Sequence, residues 1–261
     1  MDKIKKALDQ ARKQREAGVS ATTTFRGQVE KNLESIRYTQ TSSVEVSDDI
    51  LHENRLINAL EQNDYTDSIK MLRTQVLQKM NDNGWNVLGV TSAARGEGKT
   101  QTVLNLGISI AMEMEYTVLV VDANLRHPSV HEYFGIKPAY GLSDYLSSDI
   151  ALSEILINPK NVEHFVILPG GKPMHNSAEM LASPKMGAMV EEIKNRYPKR
   201  IILFDLPPII GASDALAFTP YVDAVLVTVE DGVTKESDLK TVVDMLSATN
   251  VIGTVLNKSI R

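Results

Sequence analysis

A glycine-rich segment with one lysine and one threonine carries the most specific chemical signal in the chain. It runs from Ala93 to Thr100, after an apolar stretch typical of a strand and before a stretch with helical periodicity. Gly96 and Gly98 allow the backbone to turn so that successive N–H groups point inward, where they and the start of the helix attract an anion. Lys99 adds a mobile positive charge, and Thr100 adds a hydroxyl suited to a magnesium ion. This segment predicts a loop that holds the phosphates of a nucleotide.

The loop fits the pattern GxxxxGK(S/T) except at its first position, where Ala93 stands in place of glycine. Alanine is compatible with that position if its backbone avoids positive φ. The alternative is a surface turn that contains two glycines by chance, but the strand before it and the helix after it favour a phosphate loop. The predicted nucleotide contacts in this segment are Ala94, Arg95, Gly96, Glu97, Gly98, Lys99, Thr100 and Gln101.

Two aspartates end apolar runs elsewhere in the chain. Asp122 follows Val118–Val121, and Asp205 follows Ile201–Phe204. Parallel strands end at the same edge of a sheet, which is also where a phosphate loop lies. Hard oxygen ligands beside a phosphate suit Mg²⁺, so we predict Thr100, Asp122 and Asp205 as metal ligands, Asp205 through water. Asp122 is also placed to accept a proton from an incoming hydroxyl, while loop capping is the alternative role for each aspartate taken alone.

Short apolar runs alternate with helical patterns through most of the chain. The predicted strands are Val87–Thr91, Thr117–Val121, Phe165–Leu168, Arg200–Phe204, Ala224–Val229 and Val251–Leu256. The predicted helices are Asp64–Met80, Gln101–Met114, Pro184–Tyr197 and Lys235–Ala248. Such alternation indicates right-handed crossovers, and hence an α/β fold with a doubly wound, mostly parallel sheet of six to eight strands.

The first 50 residues differ from the rest in charge and pattern. Residues 1–37 hold nine Lys and Arg against five Asp and Glu, a charge of +4, so the remainder carries -9. Asp2 to Glu16 has the spacing of a short amphipathic helix, and residues 19–49 are rich in Ser and Thr, which predicts a linker. We therefore expect a basic amino-terminal arm and linker at residues 1–50 and a nucleotide-binding domain at residues 51–261.

Composition excludes several classes of protein. The chain has 43% hydrophobic residues and a formal charge of -5, so it is globular and has no general attraction for nucleic acid. It contains no cysteine, which excludes disulfides, thiolate metal sites and iron–sulfur ligation, and fits a reducing cytosol. We find no signal peptide and no apolar run of about 18 residues, so we expect a cytoplasmic protein.

In the order of its motifs, the chain resembles the bacterial tyrosine kinases over residues 64–258. That family is similar in carrying a phosphate loop, a DxDxR motif after the next strand and an hhhDxP motif. Asp122 and Arg126 match the second motif and Asp205 matches the third, while Asn124 stands where a second acidic residue would be. The resemblance implies a P-loop NTPase fold of the SIMIBI type, ATP and Mg²⁺ as cofactors, and catalytic roles for Lys99, Asp122, Arg126 and Asp205. Because an amide cannot act as a base, Asp122 would have to carry any proton transfer.

Two further sites rest on the same resemblance. Asn257 resembles the strand-terminal asparagine that reads adenine in related ATPases, with an ordinary turn residue as the alternative. Asp67, Lys70 and Arg73 lie along one stripe of a predicted helix and resemble the ExxRxxR motif by which family members form rings. A solvated charged face is the alternative for that stripe.

Two functions follow from this resemblance. The first is an ATP-dependent protein-tyrosine kinase in capsule or exopolysaccharide biosynthesis, recruited to the inner face of the cell membrane by a membrane-embedded polysaccharide co-polymerase or chain-length adaptor. The last tyrosine is Tyr221, so the family's carboxyl-terminal tyrosine cluster is not found in this sequence, and Tyr38 in the predicted linker is the expected mobile acceptor. The second function is a nucleotide-switched ATPase that regulates a membrane export protein without tyrosine kinase activity.

Two related groups fit less well. Partitioning and septum-positioning ATPases usually carry a lysine where this chain has Ala94, and reductases of the superfamily need cysteines.

Overall fold

The computed structural model describes residues 41–57, 63–197 and 199–259. The strands of this part are β1 (Ser42–Val44), β2 (Val87–Ser92), β3 (Thr117–Asp122), β4 (Ile157–Pro159), β5 (Phe165–Leu168), β6 (Arg200–Asp205), β7 (Ala224–Glu230) and β8 (Val251–Asn257). The α-helices are α1 (Asp48–Glu53), α2 (Asp64–Asn83), α3 (Lys99–Ala111), α4 (Leu142–Ser147), α5 (Ser177–Leu181), α6 (Pro184–Asn195), α7 (Asp214–Phe218) and α8 (Glu236–Met245).

These strands form one sheet in the order β1-β4-β5-β3-β6-β2-β7-β8. All neighbouring strands run parallel except β4 and β5, which are antiparallel. The carboxyl ends of β2, β3 and β6 therefore open at one edge, and the register places Asp122 directly beside Asp205. This edge is where a doubly wound fold binds its ligand.

The fold agrees with the sequence pattern in its central part. The predicted α/β fold with a mostly parallel sheet is confirmed, and each of the six predicted strands is present. Five of them are one residue longer at the carboxyl end than predicted, and the strand at Phe165–Leu168 is unchanged. Burial explains this accuracy, because β2, β3, β5 and β6 are buried at every residue and read as continuous apolar runs.

The edge of the sheet differs from the prediction. Ser42–Val44 lies within the predicted linker but forms the edge strand β1, which pairs with β4. The backbone N–H of Lys160 also donates to the carbonyl of Val44 at 3.0 Å. Three-residue strands have no readable periodicity, and this pairing spans more than a hundred residues. The predicted amphipathic helix at residues 2–16 lies outside the described residues, so the domain boundary stays a prediction.

Helix α3 is held against the centre of the sheet. All its residues except Gln101 are buried. A Cβ atom at Gly107 would lie 2.9 Å from Phe165 and 3.0 Å from Val120, so only glycine permits this approach of helix to sheet. In the part of the chain that the structure describes, no helix has the length and apolarity needed to span a membrane.

Candidate active site

The phosphate loop connects β2 to α3 and is shaped by two glycines. Gly96 has φ 87° and Gly98 has φ 85°, in the left-handed region that favours glycine. Gly98 is the N-cap of α3, so the first turn of this helix directs its free N–H groups at the loop. Ala93, at the position where the pattern has glycine, does not have positive φ, which explains why alanine is accepted there.

Lys99 and Thr100 converge on Asp205. The Thr100 hydroxyl donates to Oδ2 of Asp205 at 2.6 Å, and the Lys99 ammonium lies 3.9 Å from Oδ1. Asp205 is fully buried, and burial raises its pKa against the opposing effects of Lys99 and Thr100. Its Oδ1 has no hydrogen-bond partner among the described residues. A buried carboxylate oxygen without a partner beside a lysine and a hydroxyl is prepared to accept a further ligand.

Asp122 organises the loop that follows β3. Its Oδ2 accepts the backbone N–H groups of Ser129 at 2.8 Å and Val130 at 3.0 Å, and its Oδ1 accepts that of Asn124 at 3.2 Å. Burial and the neighbouring charge of Asp205 raise the pKa of Asp122 to about 7. Asp122 therefore caps the loop and also stands where a proton can be taken up near neutral pH.

The donors at this edge fit a magnesium ion that is shared with a nucleotide. The unpartnered Oδ1 of Asp205 and the Thr100 hydroxyl are hard oxygen donors beside the phosphate loop. Among the described residues there is no group of three or more His, Cys, Asp or Glu side chains that would hold a metal alone. This agrees with Mg²⁺ chemistry, in which one or two carboxylates are combined with phosphate oxygens and water.

Arg126 is engaged by a residue that the motifs did not identify. Its Nε donates to both carboxylate oxygens of Asp214, at 3.0 and 3.1 Å. Burial alone would raise the pKa of Asp214, but the hydrogen bonds from Arg126 and from the Ser177 hydroxyl lower it. Asp214 is the first residue of α7, and nothing in the spacing of the run Gly211-Ala212-Ser213-Asp214 indicates Arg126 as its partner. Asp214, which belongs to none of the three motifs, therefore fixes the position of the Arg126 side chain.

A second group of side chains fixes the phosphate loop. It consists of Glu97 in the loop itself and of three residues at or just beyond the ends of β7 and β8, and we call the four the loop clasp: Glu97, Thr234, Asn257 and Lys258. The buried Glu97 carboxylate accepts the backbone N–H of Ala94 at 3.1 Å and the hydroxyl of Thr234. Asn257 Nδ2 donates to the Glu97 carbonyl at 3.1 Å. Lys258 Nζ donates to the Gly96 carbonyl at 2.7 Å and pairs with Glu230. The clasp fixes the loop backbone before any ligand arrives.

Comparisons with known proteins agree with this geometry. No family model matches the chain. It is 33% identical over 193 residues to a putative tyrosine-protein kinase in the cps region of Klebsiella pneumoniae, covering 73% of this chain and 26% of that protein. It is 27% identical over 194 residues to the tyrosine-protein kinase YwqD of Bacillus subtilis (strain 168), covering 74% and 80%. The VpsO kinase domain superposes with a TM-score of 0.66 at 27% identity, covering 74% of this chain and 94% of that domain.

The chain belongs to the bacterial tyrosine kinase family. It spans about a quarter of the K. pneumoniae relative and about four fifths of the B. subtilis relative. A weaker likeness, with a TM-score of 0.56 at 22% identity, to the septum site-determining protein MinD complexed with Mg-ADP from Pyrococcus horikoshii shows the fold alone. Both structural likenesses agree with the predicted P-loop NTPase fold.

The residues predicted as the ring contact of this tyrosine kinase family member divide into two environments. Lys70 and Asp67 form an exposed ion pair at 3.2 Å on α2. Arg73 instead turns toward α3, where it donates to the Ser109 carbonyl at 3.0 Å and pairs with Glu113 at 2.7 Å. Asp67 and Lys70 are open to a partner, whereas Arg73 is used within the chain. The ring contact stays a prediction.

Asn124 is where this chain departs from the DxDxR motif of the family. Its side-chain Nδ2 donates to the backbone carbonyl of His127 at 3.1 Å, so the residue closes the turn after β3. Its amide oxygen is left for a metal-bound water. Asn257, predicted to contact adenine, lies against the phosphate loop, and that contact stays a prediction.

Proposed function

We propose that this chain transfers the γ-phosphoryl group of Mg-ATP to tyrosine hydroxyls of proteins that assemble capsule or exopolysaccharide. The observation that carries the proposal is the convergence of Lys99 and Thr100 on the buried, unsatisfied carboxylate of Asp205. Phosphoryl transfer asks a protein for positioning and positive charge, and this arrangement supplies both. The named activities of the relatives support the choice of tyrosine as acceptor.

Each residue then has a role set by its place. The loop N–H groups and Lys99 hold the β- and γ-phosphates, and Thr100 and Asp205 hold the magnesium ion directly or through water. The ion, when bound, neutralises charge that develops on the phosphate oxygens. Asp122, with its pKa near 7, accepts the proton of the tyrosine hydroxyl as its oxygen bonds to the γ-phosphorus and ADP leaves.

The setting of this activity is also part of the proposal. By analogy with the capsule kinases among its relatives, the chain acts on the inner face of the cell membrane, bound to a membrane-embedded chain-length adaptor. We further propose a homo-oligomeric ring in which one subunit offers its tyrosine to the next.

One experiment tests the activity. The purified chain is incubated with Mg-ATP, with and without the cytoplasmic part of the adaptor, and phosphorylated residues are mapped by mass spectrometry. We expect phosphotyrosine, reduced at least about 100-fold in Lys99→Met, since removing one preorganised charge donor costs catalysis by that order. Lys137→Met, at an exposed position outside the site, is the control and should keep full activity.

The second candidate is a nucleotide-switched regulator. It is favoured by one observation: Asp122 already accepts three backbone N–H groups, and Asn124 supplies no second carboxylate. ATP-dependent change of oligomeric mass, together with ATP hydrolysis and no phosphotyrosine in the same samples, would replace the kinase proposal with this one.

A further inference from the structure

A cleft opens beside the phosphate loop, on the side of Ala94 and Arg95. It has a volume of about 470 Å³, within the range of about 300–1,000 Å³ typical of ligand sites. Three chain segments line it, and one residue of α8 closes it: Ala94, Arg95, Asn124, Arg126, His127, Pro207, Pro208, Ile210, Gly211, Ala212 and Asp238. We call this the lateral cleft. It adjoins the phosphate loop, and no residue of the loop clasp lines it.

One wall of the lateral cleft is cationic. Arg95 and His127 are exposed, and Arg95 has no ion pair with any described residue. Arg126 gives only its Nε to Asp214, so its terminal nitrogens, on a side chain 43% exposed, are left facing outward. Burial together with the charges of Arg95, Lys99 and Arg126 lowers the pKa of His127, which reports how much positive potential meets at this wall. Asp238 is the one acidic residue among those that line the cleft, while Asp214 and Glu179 act on Arg126 from outside the lining.

A second wall is apolar. It consists of Pro207 and Pro208, directly after the magnesium-side aspartate, and of Ile210, a large hydrophobic side chain that is 39% exposed. The backbone N–H of Ile210 donates to the Ala93 carbonyl at 3.1 Å, and that of Ile209 donates to the Ser92 carbonyl at 2.9 Å. The apolar wall is therefore fixed to the start of the phosphate loop. A rigid apolar surface suits the face of an aromatic ring better than a short hydroxyl side chain.

We propose that the lateral cleft binds the acceptor peptide and selects a tyrosine flanked by acidic residues. This inference rests on the proposed kinase function. The ring packs on Pro207, Pro208 and Ile210, which directs the phenol oxygen toward the phosphate loop. Flanking carboxylates pair with Arg126 and accept a hydrogen bond from the His127 ring, while Arg95 is shared between the peptide and the γ-phosphate. Basic residues next to the tyrosine are rejected by like charge.

Three peptides of equal length test this. Each has one central tyrosine, flanked by Glu, Gln or Lys, and each is offered with saturating Mg-ATP. We expect kcat/KM to be about fivefold or more higher for the Glu peptide than for the Gln peptide, the effect of two partly exposed ion pairs, and lowest for the Lys peptide. In His127→Glu the preference should fall toward equality, while the KM for ATP stays near that of the wild type. His52→Glu makes the same substitution at an exposed position outside the cleft and should keep the wild-type preference.

A binding measurement separates this inference from the activity. The same peptides with phenylalanine in place of tyrosine, carrying a fluorophore, are titrated with the protein in the presence of Mg²⁺ and a non-hydrolysable ATP analogue. If the Glu peptide binds more tightly and His127→Glu removes that difference, while the tyrosine peptides with Mg-ATP give no phosphotyrosine, the result would support the cleft and refute the kinase. Phosphotyrosine formed equally on all three peptides, with equal binding, would refute the cleft and leave the kinase standing.

Discussion

Two aspartates on adjacent strands define the chemistry at the level of single residues. Asp122 and Asp205 are both fully buried and are paired directly in the sheet register. Two neighbouring carboxylates repel each other when both are ionised, which favours a state in which at least one of them is protonated. A magnesium ion would relieve the repulsion. The sequence placed both residues correctly at strand ends, because an apolar run that stops at an aspartate is a local signal. It did not show that Asp122 also accepts three backbone N–H groups, since those donors come from residues up to eight positions away in a loop without periodicity.

The pH dependence of stability follows from Asp122. Its pKa is raised to about 7, so the ligand-free folded state binds more protons than the unfolded state from about pH 4 to about pH 7. The free energy of unfolding should therefore fall as pH rises across this window, by on the order of 1 kcal/mol or more. Urea unfolding in the presence of a metal chelator, at about pH 5 and about pH 8, measures it.

In Asp122→Asn the free energy of unfolding should fall less between about pH 5 and about pH 8 than in the wild type. Asp149→Asn, at an exposed position, is the matched control and should follow the wild type. Equal slopes for wild type and Asp122→Asn would contradict the assignment of this group.

The loop clasp belongs to the level of elements, because it joins the ends of β7 and β8 to the phosphate loop that follows β2. Its residues come from β2–α3, β7 and β8, and their contacts span up to 162 positions in the chain. No sequence pattern indicated it, although Glu97 and Asn257 were both among the predicted site residues. Their predicted role was contact with the nucleotide, whereas the observed contacts of both are with the loop itself.

Glu97→Gln should loosen the phosphate loop while keeping its size. An amide has one acceptor oxygen in place of two, so either the Ala94 N–H or the Thr234 hydroxyl loses its partner. Losing a hydrogen bond to a charged group costs about 1.5–3 kcal/mol, so we expect the KM for ATP to rise about tenfold or more with kcat changed little. Steady-state kinetics measure this. Glu236→Gln in the first turn of α8 is the control, and an unchanged KM in Glu97→Gln would show that the carboxylate has no such role.

Alanine substitutions at Gly96 and Gly98 distinguish the cost of backbone strain from the cost of a steric clash. An alanine at either position adopts a positive φ, which costs about 1–2 kcal/mol. At Gly96 the added methyl meets nothing within 4 Å, but at Gly98 it would lie 1.9 Å from Asn257 Nδ2. We expect Gly96→Ala to weaken ATP binding moderately and Gly98→Ala to abolish it, as measured by calorimetry. Equal losses in the two variants would argue against the packing of Asn257 on the loop.

The accuracy of the element prediction had a physical limit. Buried parallel strands and their crossover helices are long, apolar and locally coded, so they were readable from the chain. Strands β1 and β4 and helices α1, α4, α5 and α7 each have three to six residues and exist through contacts with distant segments. Asp214, which holds Arg126, sits at the start of one of these short helices and was missed for the same reason.

At the scale of the whole molecule, the contacts of Arg73 test whether this side of α2 stabilises the fold or forms a contact between subunits. Arg73→Ala removes a hydrogen bond to the Ser109 carbonyl and the ion pair with Glu113, on a side chain only 16% exposed. We expect a loss of about 1–3 kcal/mol in the free energy of unfolding. The double variant Asp67→Ala with Lys70→Ala removes an exposed pair and should cost less than about 1 kcal/mol.

Urea unfolding and native mass together test this division. If the predicted ring forms, the double variant should lower its mass without loss of stability. Arg73→Ala with wild-type stability but a monomeric mass would mean that Arg73 serves the assembly instead of the fold.

The contact of Gly107 with the sheet has a consequence far from that residue. Gly107 lies eight residues beyond Lys99, about 12 Å along the helix axis. A methyl group at position 107 would clash with Phe165, Val120 and Leu203. We expect α3 to move away from the sheet to relieve this clash, and Lys99 at the start of α3 would move with it. Under the proposed function, Gly107→Ala should therefore weaken ATP binding through the position of Lys99, although position 107 lies far from the phosphate loop.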